Sequence, residues 1–182
     1  MKNASEIRRE LDLAVAEGKL PMSVALVANS DDVLFSHASG FRDVENRQPM
    51  LTDSIFAIAS MTKLITTIAI LQLVESKQVN LDSGLDQYLP DTSNPRILQG
   101  FDGEENPIFI NASRSPTIRE LITHTSGYVY SIWNEIALFA QKKGVTSAFG
   151  EGRDSIITPL YFEPGSKWEY GVGIDWLGLI VE

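Results

Sequence analysis

The sequence of 182 residues contains no cysteine, which excludes disulfide bonds, thiolate zinc sites and a cysteine nucleophile together. Histidine is almost as scarce. The only two, His37 and His124, are too far apart to form a pair at helical or hairpin spacing, so a histidine metal site is not expected and no cofactor is implied. Basic residues are the minority, 15 Lys and Arg against 24 Asp and Glu for a formal charge of −9. Such a chain lacks the cationic face with which nucleic-acid binders displace counterions. Long apolar runs are missing as well: the longest, from Leu64 to Val74, includes Thr66, Thr67 and Gln72 and falls short of the roughly 20 residues that cross a bilayer. The first ten residues are polar and hold no apolar stretch of signal-peptide type, which predicts a cytoplasmic protein. What remains is an ordinary globular composition, 43% hydrophobic and 21% charged with 13 Gly and 8 Pro, able to bury a core and free of repeats.

From Asn3 the pattern is helical, with Asn3 and Glu6 as a capping box, Ile7, Leu11, Ala14 and Val15 on one face, and Gly18 as the stop. Met22 to Ala28 and Val33 to Ala38 read as two strands joined by Asn29-Ser30-Asp31-Asp32, residues that hydrogen-bond their own backbone in turns. After Gly40 the text is loop-like to Thr52, and a helix begins at about Ser60. Beyond Lys77 the expectation is loop over Leu81 to Pro90, an excursion with one short strand over Gly100 to Ile110, and helices at Thr117 to Thr123, Ser131 to Lys143 and Ile174 onward. Two regions result: 1–59, a helix with the first strands of a sheet, and 60–182, a helical region. One hairpin is marginal alone, since sheets usually have about 4–6 strands, so the sheet is expected to be incomplete within this sequence.

Chemistry concentrates at Ser60-Met61-Thr62-Lys63, an S-x-x-K motif opening a segment that is apolar nearly all round and therefore expected to be buried on most faces. The helical neighbours of Lys63 are Ala59, Ser60, Thr66 and Thr67, none acidic, so burial is expected to pull its pKa below the ordinary lysine value and make it a base. A separation of three places the amine on the Ser60 side, and a helix start offers positive dipole and free N–H groups to a developing oxyanion. A second feature is Tyr170, set between Pro164-Gly165 and the pair Gly171 and Gly173, where a tight turn can project its phenol. Taken alone, these residues leave open a chance serine with a lysine that snorkels to water, and a tyrosine that merely packs.

Phe56-Ala57-Ile58-Ala59-Ser60-Met61-Thr62-Lys63, Leu81-Asp82 with Tyr88-Leu89-Pro90, Leu121-Ile122-Thr123-His124-Thr125-Ser126-Gly127, and Phe162-Glu163-Pro164-Gly165 with Trp168-Glu169-Tyr170 stand in one chain in this order. Together they resemble the serine beta-lactamase and penicillin-binding-protein-like superfamily. The resemblance is strongest to class C beta-lactamase-like (family VIII) serine esterases and related acyltransferases, and it runs from about Ser23 to Glu182. It implies an α+β beta-lactamase/transpeptidase-like fold, an antiparallel sheet with a covering helix plus a helical region. It also implies acyl transfer on small-molecule esters through an acyl-serine, with Ser60 as nucleophile, Lys63 as base and Tyr170 assisting both proton transfers. Val172 stands where beta-lactam hydrolases carry Asn, which argues for ester substrates, and Lys77 stands where relatives often place Gly at a helix end. The family domain is roughly twice as long, so the chain looks like an N-terminal portion whose own activity is expected to be impaired.

Other signals are set aside. His124 lacks a G-x-S-x-G partner and is read as structural; Gly171-x-Gly173 lacks the third glycine of a dinucleotide fingerprint; Asp102, Glu104 and Glu105 read as a solvated loop. Trp133, Trp168 and Trp176 either pack or line an apolar acyl pocket. The alternative to an esterase is a non-catalytic module that pairs with itself or another chain through its open sheet edge.

Overall fold

A computed structural model describes residues 4–146 and 156–182. The chain forms two compact units, Met1–Ala57 and Ile58–Glu182.

In the first unit, helix α1 (Ala4–Ala16) is followed by strands β1 (Met22–Ala28), β2 (Val33–Asp43) and β3 (Gln48–Pro49), which form an antiparallel sheet in that order. The expected turn between β1 and β2 is an Asx turn, in which the Asn29 side-chain oxygen accepts from the Asp31 and Asp32 N–H groups at 2.9 and 2.7 Å. Asp12 of α1 reaches His37 of β2 at 2.8 Å, and Phe35 and Met50 are buried. The expected capping box falls on Asn3, outside the described residues. β2 runs five residues beyond the expected end at Ala38, because Phe41 and Asp43 pair with Pro49 and Gln48 across what the sequence suggested was a loop. Leu26, Val27, Val33 and Leu34, around the β1–β2 turn, remain exposed.

In the second unit, a 3-10 turn at Ala59–Met61 leads into helix α2 (Thr62–Glu75). α2 ends in a Schellman motif. Gln78 N–H reaches the Leu73 carbonyl at 2.9 Å and Lys77 N–H the Val74 carbonyl at 3.0 Å, with Lys77 in the left-handed region at φ 62° where a glycine would be unstrained. The expectation that α2 is buried on most faces does not hold. Only Ile70 is buried, while Met61, Leu64, Ile65, Ile68 and Leu71 form a ridge between 41% and 67% exposed. The region between 96 and 111 is a full hairpin of β4 (Arg96–Phe101) and β5 (Pro107–Asn111), not an excursion with one strand. Its turn is capped by Asp102, which accepts from Asn106, and Glu105 of the loop read as solvated pairs with Lys143.

Helices α3 (Ile118–Ile122), α4 (Glu135–Lys142) and α5 (Gly173–Val181) complete this unit, and Ile70, Leu85, Ile118, Leu121, Leu160 and Leu177 form the middle of its core. No helix among the described residues is long and apolar enough to cross a membrane. Short α3 depends on a reciprocal cap: Glu120 N–H donates to Thr117 Oγ1 at 3.2 Å and Thr117 N–H to the Glu120 carboxylate at 2.8 Å. Arg114 grips the same carboxylate with two nitrogens at 2.5 and 2.7 Å and donates to the Pro164 carbonyl at 3.0 Å, which fastens the turn preceding Tyr170 to this helix. Thr117→Ala is expected to cost about 1 kcal/mol, read as a fall of roughly 2–4 °C in the thermal midpoint.

Candidate active site

Ser60 lies in the 3-10 turn before α2, directly after Ala59, whose φ of 45° places a non-glycine residue in the left-handed region. Such strain in front of a serine is a usual mark of a functional turn. Lys63 follows in the first turn of α2. Ser60, Lys63, Thr66, Ile174 and Asp175 line one open pocket of 430 Å³. The structure thus brings Ser60 and Lys63 to a common cavity, as their spacing implied.

Tyr170 reaches the same amine from the other end of the chain. The Lys63 Nζ atom is 5.3 Å from the ring centre of Tyr170 and 5.3 Å from that of Tyr130. It donates a hydrogen bond to the Tyr130 hydroxyl at 3.0 Å. Tyr170 is not a phenol projecting from an isolated turn: its ring packs against those of His124 at 4.6 Å, Trp133 at 5.4 Å and Tyr130 at 5.5 Å. His124 holds it there. The His124 carbonyl accepts from Glu169 N–H at 2.9 Å and its ring nitrogen Nδ1 accepts from Gly171 N–H at 3.4 Å, so both neighbours of Tyr170 are tied to one residue. Burial, with the Lys63 charge adding, pushes the His124 pKa below its ordinary value, which suits an Nδ1 that must accept. These contacts name the partners of His124, which the sequence alone did not identify.

The electrostatics differ from the sequence expectation at Lys63. Burial does pull its pKa down, but the hydrogen bond to Tyr130, the charge of Asp175 and the hydrogen bond with Tyr170 outweigh it, and the net pKa lies above the ordinary lysine value. Lys63 therefore rests as an ammonium, not as a preformed neutral base. Asp175, in the first turn of α5, is the acidic neighbour that α2 itself does not provide, and Tyr130 stands 3.4 Å from its carboxylate. Protein atoms packed around that carboxyl push its pKa up, against the opposing pull of Lys63 and Tyr130. Tyr130 also has a raised pKa, chiefly through burial, so it is held as a neutral phenol.

Tyr130 and Asp175 were missed by sequence reasoning because a helical pattern reveals only neighbours three and four residues away, whereas Tyr130 is 67 residues from Lys63. Of the three tryptophans, Trp176 is buried in the core, whereas Trp133 and Trp168 are exposed. Among the described residues no group of three or more His, Asp or Glu is arranged to hold a metal ion.

Known proteins resemble the chain in sequence and in fold. The beta-lactamase family model matches residues 7–182. The lovastatin esterase of Penicillium rubens is 34% identical over 177 residues, which cover 93% of this chain and 44% of that protein. The esterase EstB of Burkholderia gladioli is 32% identical over 188 residues, covering 98% of this chain and 45% of its own length. Among solved structures, a LovD6 mutant of the simvastatin synthase of Aspergillus terreus superposes with a TM-score of 0.86 at 33% identity, covering 98% of this chain and 44% of that one. The mixed helices and open antiparallel sheets described above are thus a beta-lactamase-like fold, and the chain spans less than half the length of these relatives.

Proposed function

We propose that this chain, which belongs to the beta-lactamase family, carries the nucleophile and proton-transfer groups of a serine hydrolase or acyltransferase acting on small carboxylic esters. The observation that carries the reading is the convergence of the Ser60–Lys63 pocket with Tyr170, whose ring centre lies 5.3 Å from the Lys63 amine. Relatives named as esterases and acyltransferases support ester or acyl substrates, and Val172 in place of an asparagine amide favours esters over beta-lactams.

In this reading the Ser60 oxygen attacks the ester carbonyl while its proton passes to Lys63, with Tyr170 sharing the transfer. N–H groups at the start of α2 face the oxyanion that develops. Collapse releases the alcohol, which takes back a proton from the Lys63–Tyr170 pair, and water or a second alcohol then removes the acyl group. A direct test is labelling with a serine-reactive fluorophosphonate followed by peptide mass spectrometry. The adduct is expected on Ser60, and an adduct elsewhere would overturn the assignment.

The raised pKa of Lys63 sets the pH dependence. The base is the deprotonated amine, and its population grows about tenfold per pH unit below the pKa. Labelling rate should therefore climb steadily from neutral into alkaline solution and level off only above the ordinary lysine range. A plateau near neutrality would instead show the depressed lysine that the sequence suggested.

A second reading, a non-catalytic pairing module, is favoured by the three-stranded sheet with β1 at its free edge and exposed Leu26 and Val27 on that strand. An obligate complex without labelling or turnover would support it; a monomer that labels at Ser60 would remove it.

A further inference from the structure

The geometry points to a binding platform for an apolar part of the ester, built on Trp133. The proposal rests on the acyl-serine reading above and names its substrate class: esters bearing an aliphatic or alicyclic group of several carbons. Trp133 is 61% exposed and its neighbour Ile132 is 58% exposed, a large apolar area to leave in water. The position is nonetheless fixed. Trp133 N–H donates to the Tyr130 carbonyl at 3.3 Å. Asn134 caps α4 by accepting from Ala137 N–H at 3.0 Å, and its amide donates to the Glu169 carboxylate at 2.7 Å, one residue from Tyr170.

The indole stands edge-on to both tyrosines of the site, 5.4 Å from Tyr170 and 6.0 Å from Tyr130 between ring centres. Each of those rings lies 5.3 Å from the Lys63 amine. Trp133 is therefore one ring away from the group proposed to move the serine proton, and a chain extending from an ester bound at Ser60 across the tyrosines meets it. The other tryptophans do not fit this role. Among the aromatic groups of the described residues Trp168 touches only the His124 ring, at 6.4 Å, and Trp176 is part of the core. A rigid, amphipathic, solvent-facing indole supplies contact area at small entropic cost, as binding pockets generally use it.

Alkyl fluorophosphonates test the platform. On reaction the Ser60 oxygen forms a bond to phosphorus, the P–F bond breaks, fluoride leaves and the hydroxyl proton passes to Lys63. Second-order labelling rates are compared for a series from methyl to octyl on phosphorus, mimicking the acyl side, and for a matching alkoxy series, mimicking the alcohol side. On the side that meets Trp133 the rate should rise about fourfold for each methylene covered. In Trp133→Ala the octyl-to-methyl ratio should fall toward one, and Trp133→Phe should restore most of it. Flat series on both sides in the unaltered chain, or a ratio unchanged in Trp133→Ala, would overturn the proposal.

A second readout does not need catalysis. In Trp168→Phe, where Trp133 is the exposed tryptophan among the described residues, octanoate should protect the fluorescence from acrylamide quenching. No protection would count against the platform. Protection without labelling would keep the platform and remove the acyl-serine reading, and labelling with flat series would do the reverse.

Discussion

Ser60→Ala is expected to abolish fluorophosphonate labelling and to lower any ester turnover by about 10⁴-fold or more, because no second hydroxyl stands in for the proposed nucleophile. Thr62 and Thr66 are the nearest alternatives in the chain, and Thr66 spends its hydroxyl on the Thr62 carbonyl at 3.2 Å. The substitution removes one exposed oxygen from the turn at Ala59–Met61 and should leave the thermal midpoint unchanged within about a degree. Loss of labelling with folding retained is the expected pair of results, measured by intact-mass spectrometry and circular dichroism on one preparation. Undiminished labelling would mean that another residue is the nucleophile.

Gly171→Ala carries the largest expected structural effect. A Cβ at Gly171 would overlap the Tyr128 carbonyl oxygen and the Val129 Cα, both backbone atoms of a buried segment that cannot rotate aside. The expected cost is about 3 kcal/mol or more, a fall of roughly 6–12 °C in the thermal midpoint. Tyr170 is the adjacent residue, so the shift also pulls its ring from Lys63 and labelling of Ser60 should slow. Gly178, in α5 with open space around its position, is the control: Gly178→Ala should stabilise the helix by up to about 1 kcal/mol. Equal effects at the two glycines would show that the close approach at Gly171 is not real.

The parts of this site that were legible in the sequence are those carried by local spacing. Ser60 and Lys63 three apart at a helix start, the Asn29 turn, and a helix beginning at Thr117 all follow from short-range chemistry. Tyr170 was legible as a candidate only through the ordered motifs around it, since a tyrosine between glycines is equally a packing residue. The protonation of Lys63 was misread because its partners Tyr130 and Asp175 sit on a loop and on α5, and only tertiary folding brings them to α2. The burial of α2 was misread for a related reason. An all-round apolar pattern states what a helix would bury, not whether a surface is present to bury it against.

That exposed ridge on α2 has a kinetic consequence. Seven of its 14 residues, Thr62, Ile65, Thr66, Thr67, Ile68, Ile70 and Val74, are β-branched, so intrinsic propensity holds the helix weakly, and Ile70, with Leu73 and Val74 packed beside it, anchors it to the core. Its first turns, beside the exposed Leu64, Ile65 and Ile68, therefore open to solvent at a smaller free energy than its last turns, where Ile70, Leu73 and Val74 pack against the core. Amide hydrogen exchange in the turns that follow Ser60 is then expected to outpace that at Leu73 and Val74, and any surface that comes to lie along the ridge would slow it.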